Sequence, residues 1–250
     1  MIHIHSTPQA LGQAAAIQAA TLLNAAIQAQ GSARLLLSTG MSQFETMAAL
    51  VEQPVPWNKV TMFHLDEYVG LPITHPASFR KYLQERFISQ ITLQEAVLVD
   101  GEAALTGELA RLNARFTEAP IDVGLVGIGE NGHIAFNDPP CDLHTTDPYI
   151  VVTLDERCKA QQVGEGWFAT NADVPRQAIS MTVHGILQCH SILSIVPHAA
   201  KADAIYNTLS QPLSRNVPAT ALKTHPHWSL YVDDAAASRS GALIAGNDNQ

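Results

Sequence analysis

The feature of this sequence that most restricts its fold is an alternation of short apolar runs with longer segments of helical composition. Runs at 60–65, 122–128 and 191–196 have the length of strands and contain few polar residues. Strands have this composition when helices cover both faces of a sheet. Helical segments between successive strands are typical of parallel pairing, because the chain must cross back over the sheet. The sequence therefore predicts an α/β fold built on a doubly wound, mostly parallel sheet.

The boundaries of these elements follow from the apolar runs and from the Gly, Pro and capping residues between them. We predict strands at 34–38, 60–65, 96–99, 122–128, 149–154, 191–196 and 227–232. We predict helices at 8–30, 43–52, 77–88, 103–117, 178–187 and 199–209. No internal repeat or low-complexity linker divides the chain, so we expect a single domain over residues 1–250, with a frayed tail over 241–250.

Composition argues against several classes of function. The net charge is −9 and no basic cluster occurs, so we expect no nucleic-acid partner. The three cysteines, Cys141, Cys158 and Cys189, form no CxxC pair, and we therefore expect a reducing, cytoplasmic location. We find neither a signal peptide nor an apolar run long enough to cross a bilayer, and we expect no membrane association. The His-x-His pairs at 3–5 and 225–227 have no Cys or carboxylate beside them, so we predict no metal site.

Three polar clusters follow predicted strands, at the edge of the sheet where doubly wound proteins bind ligands. The first cluster is Thr39-Gly40 with Ser42. Backbone N–H groups at a strand-to-helix turn, together with two hydroxyls, suit a phosphate. The alternative is an ordinary turn, in which Ser42 is the N-cap of the next helix and Glu45 completes a capping box.

The second cluster is Asp66-Glu67, directly after the strand at 60–65. Charged groups are costly to bury without partners, so we expect these carboxylates at the edge of the sheet. A carboxylate in that position can act as a general base that moves a proton between adjacent carbon atoms. The alternatives are a solvated loop and a carboxylate that caps a helix.

The third cluster surrounds His133, which follows the strand at 122–128 and a glycine-rich turn. Gly132 permits tight backbone geometry and close approach of a ligand. Asn131 and Asp138 are near His133 in sequence and are suited to fix its tautomer and orientation. A single histidine is often structural, but this combination of residues favours an acid/base role.

The three clusters together resemble the signature segments of the glucosamine-6-phosphate deaminase/isomerase family, which is related in fold to the 6-phosphogluconolactonases. The segments that carry this resemblance are Asp66-Glu67-Tyr68-Val69-Gly70-Leu71-Pro72, Gly127-Ile128-Gly129 with Gly132-His133-Ile134-Ala135-Phe136-Asn137, and Pro218-Ala219-Thr220-Ala221-Leu222. They occur in the family's order and at similar spacing, within a match that covers about residues 31–235.

The resemblance implies a Rossmann-like fold and a reaction without an organic cofactor, in which glucosamine 6-phosphate becomes fructose 6-phosphate and ammonia. Asp66 would handle the protons at C2 and C1, and His133 would open the sugar ring, with Asn131 and Asp138 completing the catalytic centre. The phosphate would be held by residues of the turn after the first predicted strand, by one glycine of the central segment and by one lysine. These are Thr39, Gly40, Ser42, Gly132 and Lys201.

This sequence departs from the family's pattern at several of these positions. The family usually has Asp at position 131 and Glu at position 138, where this chain has Asn and Asp. The family's phosphate-binding arginine has no clear counterpart, and the nearest basic residues are Arg157, Lys159 and Arg176. The stretch 161–168 has the composition of a Gly-flanked aromatic lid. An aminosugar-phosphate deaminase/isomerase that acts on a small-molecule sugar phosphate is the favoured prediction, and a homo-oligomer is possible. A 6-phosphogluconolactonase-like hydrolase and a non-catalytic sugar-phosphate-binding regulator are the alternatives.

Overall fold

A computed structural model describes residues 1–247, and its secondary structure confirms the α/β class. The strands are β1 (Ile2–His5), β2 (Ala33–Leu37), β3 (Val60–His64), β4 (Asp66–Tyr68), β5 (Glu95–Val97), β6 (Val123–Val126), β7 (Tyr149–Thr153), β8 (Gln177–Met181), β9 (Ser191–Val196) and β10 (Trp228–Asp233). The helices are α1 (Pro8–Gln30), α2 (Phe44–Val51), α3 (Phe79–Arg86), α4 (Leu105–Thr117), α5 (Glu156–Gly164), α6 (Val183–Leu187), α7 (Ala202–Ser210), α8 (Asp234–Ala237) and α9 (Gly241–Asn247).

The main sheet has seven parallel strands in the order β1-β10-β9-β6-β2-β3-β5. The middle strand is β6, with β9 on one side and β2 on the other, and β3 lies next to β2. Because parallel strands end at the same edge, the segments that follow β2, β3, β6 and β9 meet there. A doubly wound sheet binds its ligands at such an edge, where the strand order changes direction.

Helix α1 shows how local sequence and packing together define an element. The Thr7 side chain accepts a hydrogen bond from the Ala10 N–H, and Gly31 ends the helix in the left-handed conformation with φ of 87°. By length and composition α1 could cross a membrane. Its buried residues, which include Leu11 and Leu23, instead belong to the same apolar cluster as β2 and α2.

A second, antiparallel sheet has the order β4-β8-β7. One residue, Leu65, separates β4 from β3, so the chain passes from the main sheet into the small sheet at Asp66. One apolar cluster includes Phe63 of the main sheet together with Tyr149 and Ile179 of the small sheet. The small sheet is therefore packed against the same core.

The structure corrects two predictions and adds elements that were not predicted. Residues 178–187, expected as one helix, form β8 followed by α6, and Thr182 caps α6. Pairing of β8 with both β4 and β7 outweighs the local helical composition. The strands β1 and β4 were not predicted. Residues 241–247, expected to fray, form α9 with Ile244 buried, and residues 248–250 lie outside the described part of the chain.

Candidate active site

A cavity of about 210 Å³ opens at the carboxyl edge of the main sheet. Its walls come from the segments after β2, β3, β6 and β9 and from the region of α5. The side chains and turns that we predicted from sequence and that line this cavity are Thr39, Gly40, Ser42, Asp66, His133 and Lys201. The other three predicted residues, Asn131, Gly132 and Asp138, do not line it. Two of them, Asn131 and Asp138, contact His133.

Contacts with Asn131 and Gly129 fix the His133 ring. The Asn131 Oδ1 atom lies 2.6 Å from His133 Nδ1 and also accepts the His133 backbone N–H at 3.1 Å. The His133 backbone N–H can only donate a hydrogen bond, so the Asn131 atom that faces both this N–H and Nδ1 is the amide oxygen. Nδ1 therefore carries the ring hydrogen. Nε2 is then the nitrogen free to exchange a proton. A Cβ at Gly129 would stand 2.1 Å from His133 Cε1, so the ring rests directly on that glycine.

Asp138 lies beside the same ring nitrogen. Its Oδ1 atom is 3.3 Å from His133 Nδ1 and accepts a hydrogen bond from Asn131 Nδ2 at 3.4 Å. Burial acts to raise the pKa of Asp138, but hydrogen bonds from His133 and Asn131 and the His133 charge outweigh it, so the net pKa is lowered. The aspartate is therefore ionised and close enough to stabilise a positive His133, although its side chain is shorter than glutamate.

Asp66 and Glu67 separate into two roles because adjacent residues of a strand point to opposite faces. Asp66 lines the cavity, and burial and then the charge of Glu67 raise the pKa of Asp66 to about 8. Glu67 is fully buried and points the other way, where it accepts hydrogen bonds from Ser78 Oγ at 2.9 Å and from the Arg80 backbone N–H at 2.7 Å. Glu67 thus caps helix α3, and Asp66 is the carboxyl of this pair that faces the cavity.

The turn after β2 is open and presents hydrogen-bond donors to the cavity. Gly40 has φ of 102°, which favours glycine, and a 3₁₀ turn begins directly after it. Ser42 is not the N-cap of α2, because Gln43 occupies that position without a side-chain cap. The Ser42 hydroxyl instead accepts a hydrogen bond from Gln43 Nε2 at 2.9 Å, so its own hydrogen is free to donate.

Lys201 brings a positive charge to the same cavity. Its side chain is largely buried, and among residues 1–247 its Nζ makes no hydrogen bond or close ion pair. Burial lowers the pKa of Lys201, while the charges of Glu165 and Glu130 act in the opposite direction. An anionic ligand would supply the missing partner.

The region of α5 covers one side of the cavity through Gln161, Gln162, Glu165 and Trp167. The Glu165 carboxylate accepts hydrogen bonds from Gln161 Nε2 at 2.7 Å and from Trp167 Nε1 at 3.1 Å. The basic residues considered as replacements for the family's arginine, Arg157, Lys159 and Arg176, do not line the cavity.

Among the residues of the cavity wall that were not predicted from sequence are two with ionisable side chains, Glu130 and His198. Glu130 could have been suspected from its position beside the predicted centre. For His198, the signal available was its position three residues before Lys201. Among residues 1–247, no three His, Cys, Asp or Glu side chains converge as metal ligands would.

The chain is similar to known proteins over most of its length. Residues 6–230 match the family model described as glucosamine-6-phosphate isomerases/6-phosphogluconolactonase. A glucosamine-6-phosphate deaminase of Streptococcus pneumoniae serotype 4 (strain ATCC BAA-334 / TIGR4) is 37% identical over 213 residues, which cover 84% of this chain and 89% of the relative.

Solved structures agree with this match. A monomeric glucosamine-6-phosphate deaminase superposes with a TM-score of 0.85 at 29% identity, covering 95% of this chain and 99% of that one. A 6-phosphogluconolactonase from Trypanosoma brucei superposes with a TM-score of 0.80 at 17% identity, covering 96% and 98%, and shows the shared fold. The chain belongs to the glucosamine-6-phosphate isomerase/6-phosphogluconolactonase family.

Proposed function

We propose that this protein is a glucosamine-6-phosphate deaminase, which converts glucosamine 6-phosphate, or a related aminohexose 6-phosphate, to the ketose phosphate and ammonia. The observation that carries the proposal is that Asp66 and His133 face one cavity with the Ser42 turn and Lys201. The 37% identity to a relative named for this activity supports it. The cavity thus offers two acid/base groups for the sugar and an anion site for its phosphate.

Ring opening is assigned to His133. The imidazole Nε2 takes the proton of the C1 hydroxyl and returns a proton to the ring oxygen as the bond between C1 and that oxygen breaks. Asn131 holds the hydrogen on Nδ1, and the Asp138 carboxylate stabilises the imidazolium that forms between the two transfers. Asn131 cannot itself accept a proton, so the positive charge is balanced by Asp138.

The isomerisation step is assigned to Asp66. In the open-chain form, the Asp66 carboxylate removes the proton from C2 while the aldehyde oxygen at C1 takes up a proton, which gives an enolamine. Asp66 then delivers its proton to C1 as the C2 amine gives up one proton, so that C1 becomes the hydroxymethyl carbon and C2 carries an imine. Water adds to the imine carbon, and ammonia leaves as the C2 ketone forms. The raised pKa of Asp66 suits this work, because a carboxyl group that titrates near the working pH exchanges protons with carbon more readily than an ordinary aspartate.

The phosphate is assigned to the turn at Thr39, Gly40 and Ser42 and to Lys201. The turn contributes backbone N–H groups and hydroxyls, and the buried ammonium contributes charge. Gly132 is a candidate for the same role through its backbone, although it does not line the cavity as the structure stands. Holding the far end of the substrate in this way fixes C1 and C2 near His133 and Asp66, which is a large part of catalysis.

The test is a panel of aminohexose 6-phosphates, with release of ammonia and formation of the ketose 6-phosphate measured together. We expect equal amounts of both products from glucosamine 6-phosphate. A preparation that converts another sugar phosphate and never releases ammonia would overturn the deaminase assignment. A 6-phosphogluconolactone hydrolysis assay, run in parallel, distinguishes the related lactonase activity, and binding without turnover would indicate a regulator.

We also propose that the protein acts in the cytoplasm and that residues 1–250 form one domain. Three cysteines without a disulfide among the described residues are compatible with a reducing compartment. One solved relative is described as monomeric, so the homo-oligomer considered from sequence has to be tested by light scattering of the purified protein. A mass near that of one chain would reject it.

A further inference from the structure

The cavity has less positive charge than its proposed ligand has negative charge. A phosphate monoester carries nearly two negative charges at neutral pH. Among the described residues that line the cavity, Lys201 is the only lysine, and no arginine is present. Glu130 and Glu165 line the same cavity and add negative charge. Either the backbone supplies everything else that binds the phosphate, or another side chain contributes.

His198 stands in the cavity wall in an unusual backbone conformation. It follows β9, and its φ is 80°, in the left-handed region that favours glycine. The His198 backbone N–H donates to both carboxylate oxygens of Asp233 at 3.1 Å. Asp233 is itself buried and caps α8 through the Ala236 N–H at 2.7 Å. The surrounding structure therefore holds His198 in its strained conformation.

The imidazole of His198 has no competing partner. The residue is exposed and lines the cavity, and its ring makes no hydrogen bond or ion pair with residues 1–247. Residues held in strained backbone conformations are found preferentially at functional sites. Glycine would adopt this backbone conformation without strain. The histidine therefore contributes a side chain to the cavity, one turn before Lys201.

We propose that His198 is a phosphate-binding residue, whose imidazole donates to the substrate phosphate and acts together with Lys201 in a cavity whose described lining contains no arginine. This inference rests on the proposed function, because it assigns a ligand within the same site. The imidazolium form binds most tightly, since a charged donor strengthens a hydrogen bond to phosphate.

The test compares His198→Gly and His198→Gln with the wild type, using titration calorimetry with inorganic phosphate and steady-state kinetics with glucosamine 6-phosphate. For His198→Gly we expect phosphate affinity to fall and KM to rise, each about tenfold, with kcat within about twofold. Its melting temperature should be equal or higher, because glycine relieves the strain. His198→Gln keeps a neutral hydrogen-bond donor, so its phosphate affinity and its KM should lie between those of His198→Gly and the wild type. His144→Gly, which removes an exposed imidazole outside the cavity, is the control.

Phosphate affinity and KM that are the same in His198→Gly and the wild type would overturn the inference, as would a fall in kcat with KM unchanged. The calorimetric arm needs no turnover. If phosphate binding depends on His198 and no ammonia is released from any aminohexose phosphate, the proposed activity fails and the binding inference stands.

Discussion

At the scale of single residues, the centre around His133 has one carboxylate where the family usually has two. Asn131 fixes the ring and Asp138 balances its charge, so the amide and the acid divide work that two acids do elsewhere. In the proposed mechanism this division meets both needs of the imidazole during ring opening, which are one tautomer and one counter-charge.

Replacing His133 by alanine is expected to lower kcat by about 10²–10⁴, the usual cost of losing a general acid/base. The change leaves the sheet intact, so the melting temperature should change little. Ammonia release under saturating glucosamine 6-phosphate is the measurement. A variant with near-normal turnover would show that another group opens the ring.

The pH profile is expected to follow Asp66. Because burial and the Glu67 charge raise the pKa of Asp66 to about 8, most of this carboxyl is protonated at neutral pH and cannot accept the C2 proton. The rate of isomerisation should therefore rise with pH up to about 8 and then level off, with kcat changing about tenfold per pH unit on the acid side. Deuterium exchange at C2 isolates this step. A flat profile between pH 6 and pH 8 would contradict the assignment of Asp66 as the base.

Sequence reasoning named most residues of the proposed centre but left some assignments open. Asp66 and His133 were identified because polar residues after apolar strands must lie at the edge of the sheet. The residue pattern by itself did not choose between Asp66 and Glu67, because that choice depends on the pairing of β4 with β8, and the family resemblance assigned the role to Asp66. His198 was missed because its importance comes from a positive φ, and that conformation is set by Asp233, which is 35 residues away in sequence.

At the scale of elements, the passage from β3 through β4 to α3 presents Asp66 to the cavity. Glu67 anchors this passage, because it is buried and binds the first turn of α3. Arg80 in that turn also pairs with Asp100 at 2.7 Å and Glu102 at 2.8 Å. The position of the proposed base thus depends on a buried cap behind it.

The variant Glu67→Gln is expected to lower the free energy of unfolding by about 2–4 kcal/mol, because its amide nitrogen would face N–H and O–H donors that now bind a carboxylate. Glu102→Gln is the matched control. The Glu102 side chain is about half exposed, so removing its charge should lower the free energy of unfolding by less than about 1 kcal/mol. Urea unfolding measures the free energy of unfolding of both variants. Equal small effects would mean that the Glu67 contacts contribute little to stability.

The turn between β6 and His133 gives a second element-level prediction. A methyl group at Gly129 would collide with the His133 ring at 2.1 Å, so Gly129→Ala should displace the ring and lower kcat about as much as loss of the histidine. Gly107→Ala in α4 is the control, since a Cβ there meets nothing within 4 Å. It should keep full activity. Normal ammonia release by Gly129→Ala would show that the ring position is not critical.

Element prediction failed where tertiary pairing decided the outcome. Residues 178–187 have apolar spacing that suits a helix, but the first half is the central strand of the small sheet and only the second half is helical. Strand β4 has three residues, too few for a periodic pattern to reveal. The long parallel strands were predicted correctly, because two covered faces require a nearly continuous apolar run.

At the scale of the whole molecule, the cavity joins parts of both sheets and the segment around α5. Asp66 lies where the main sheet passes into the small sheet, and Lys201 and Ser42 follow strands of the main sheet. The apolar cluster shared by the two sheets keeps these parts in a fixed relation. This common core is the physical basis for the proposal of one domain.

A single domain predicts that the two sheets lose their structure together. Hydrogen exchange of the backbone amides, followed by mass spectrometry at increasing urea, should give the same opening free energy for β8 as for β9. The reason is that Ile179 and Met181 of β8 share one buried cluster with Ile192 and Val196 of β9, so exposing one strand removes the packing of the other. The helix α1, on the opposite face, serves as the reference for global unfolding. If β7 and β8 open at a clearly lower free energy while β9 stays protected, the small sheet is a separate unit and the single-domain proposal is wrong.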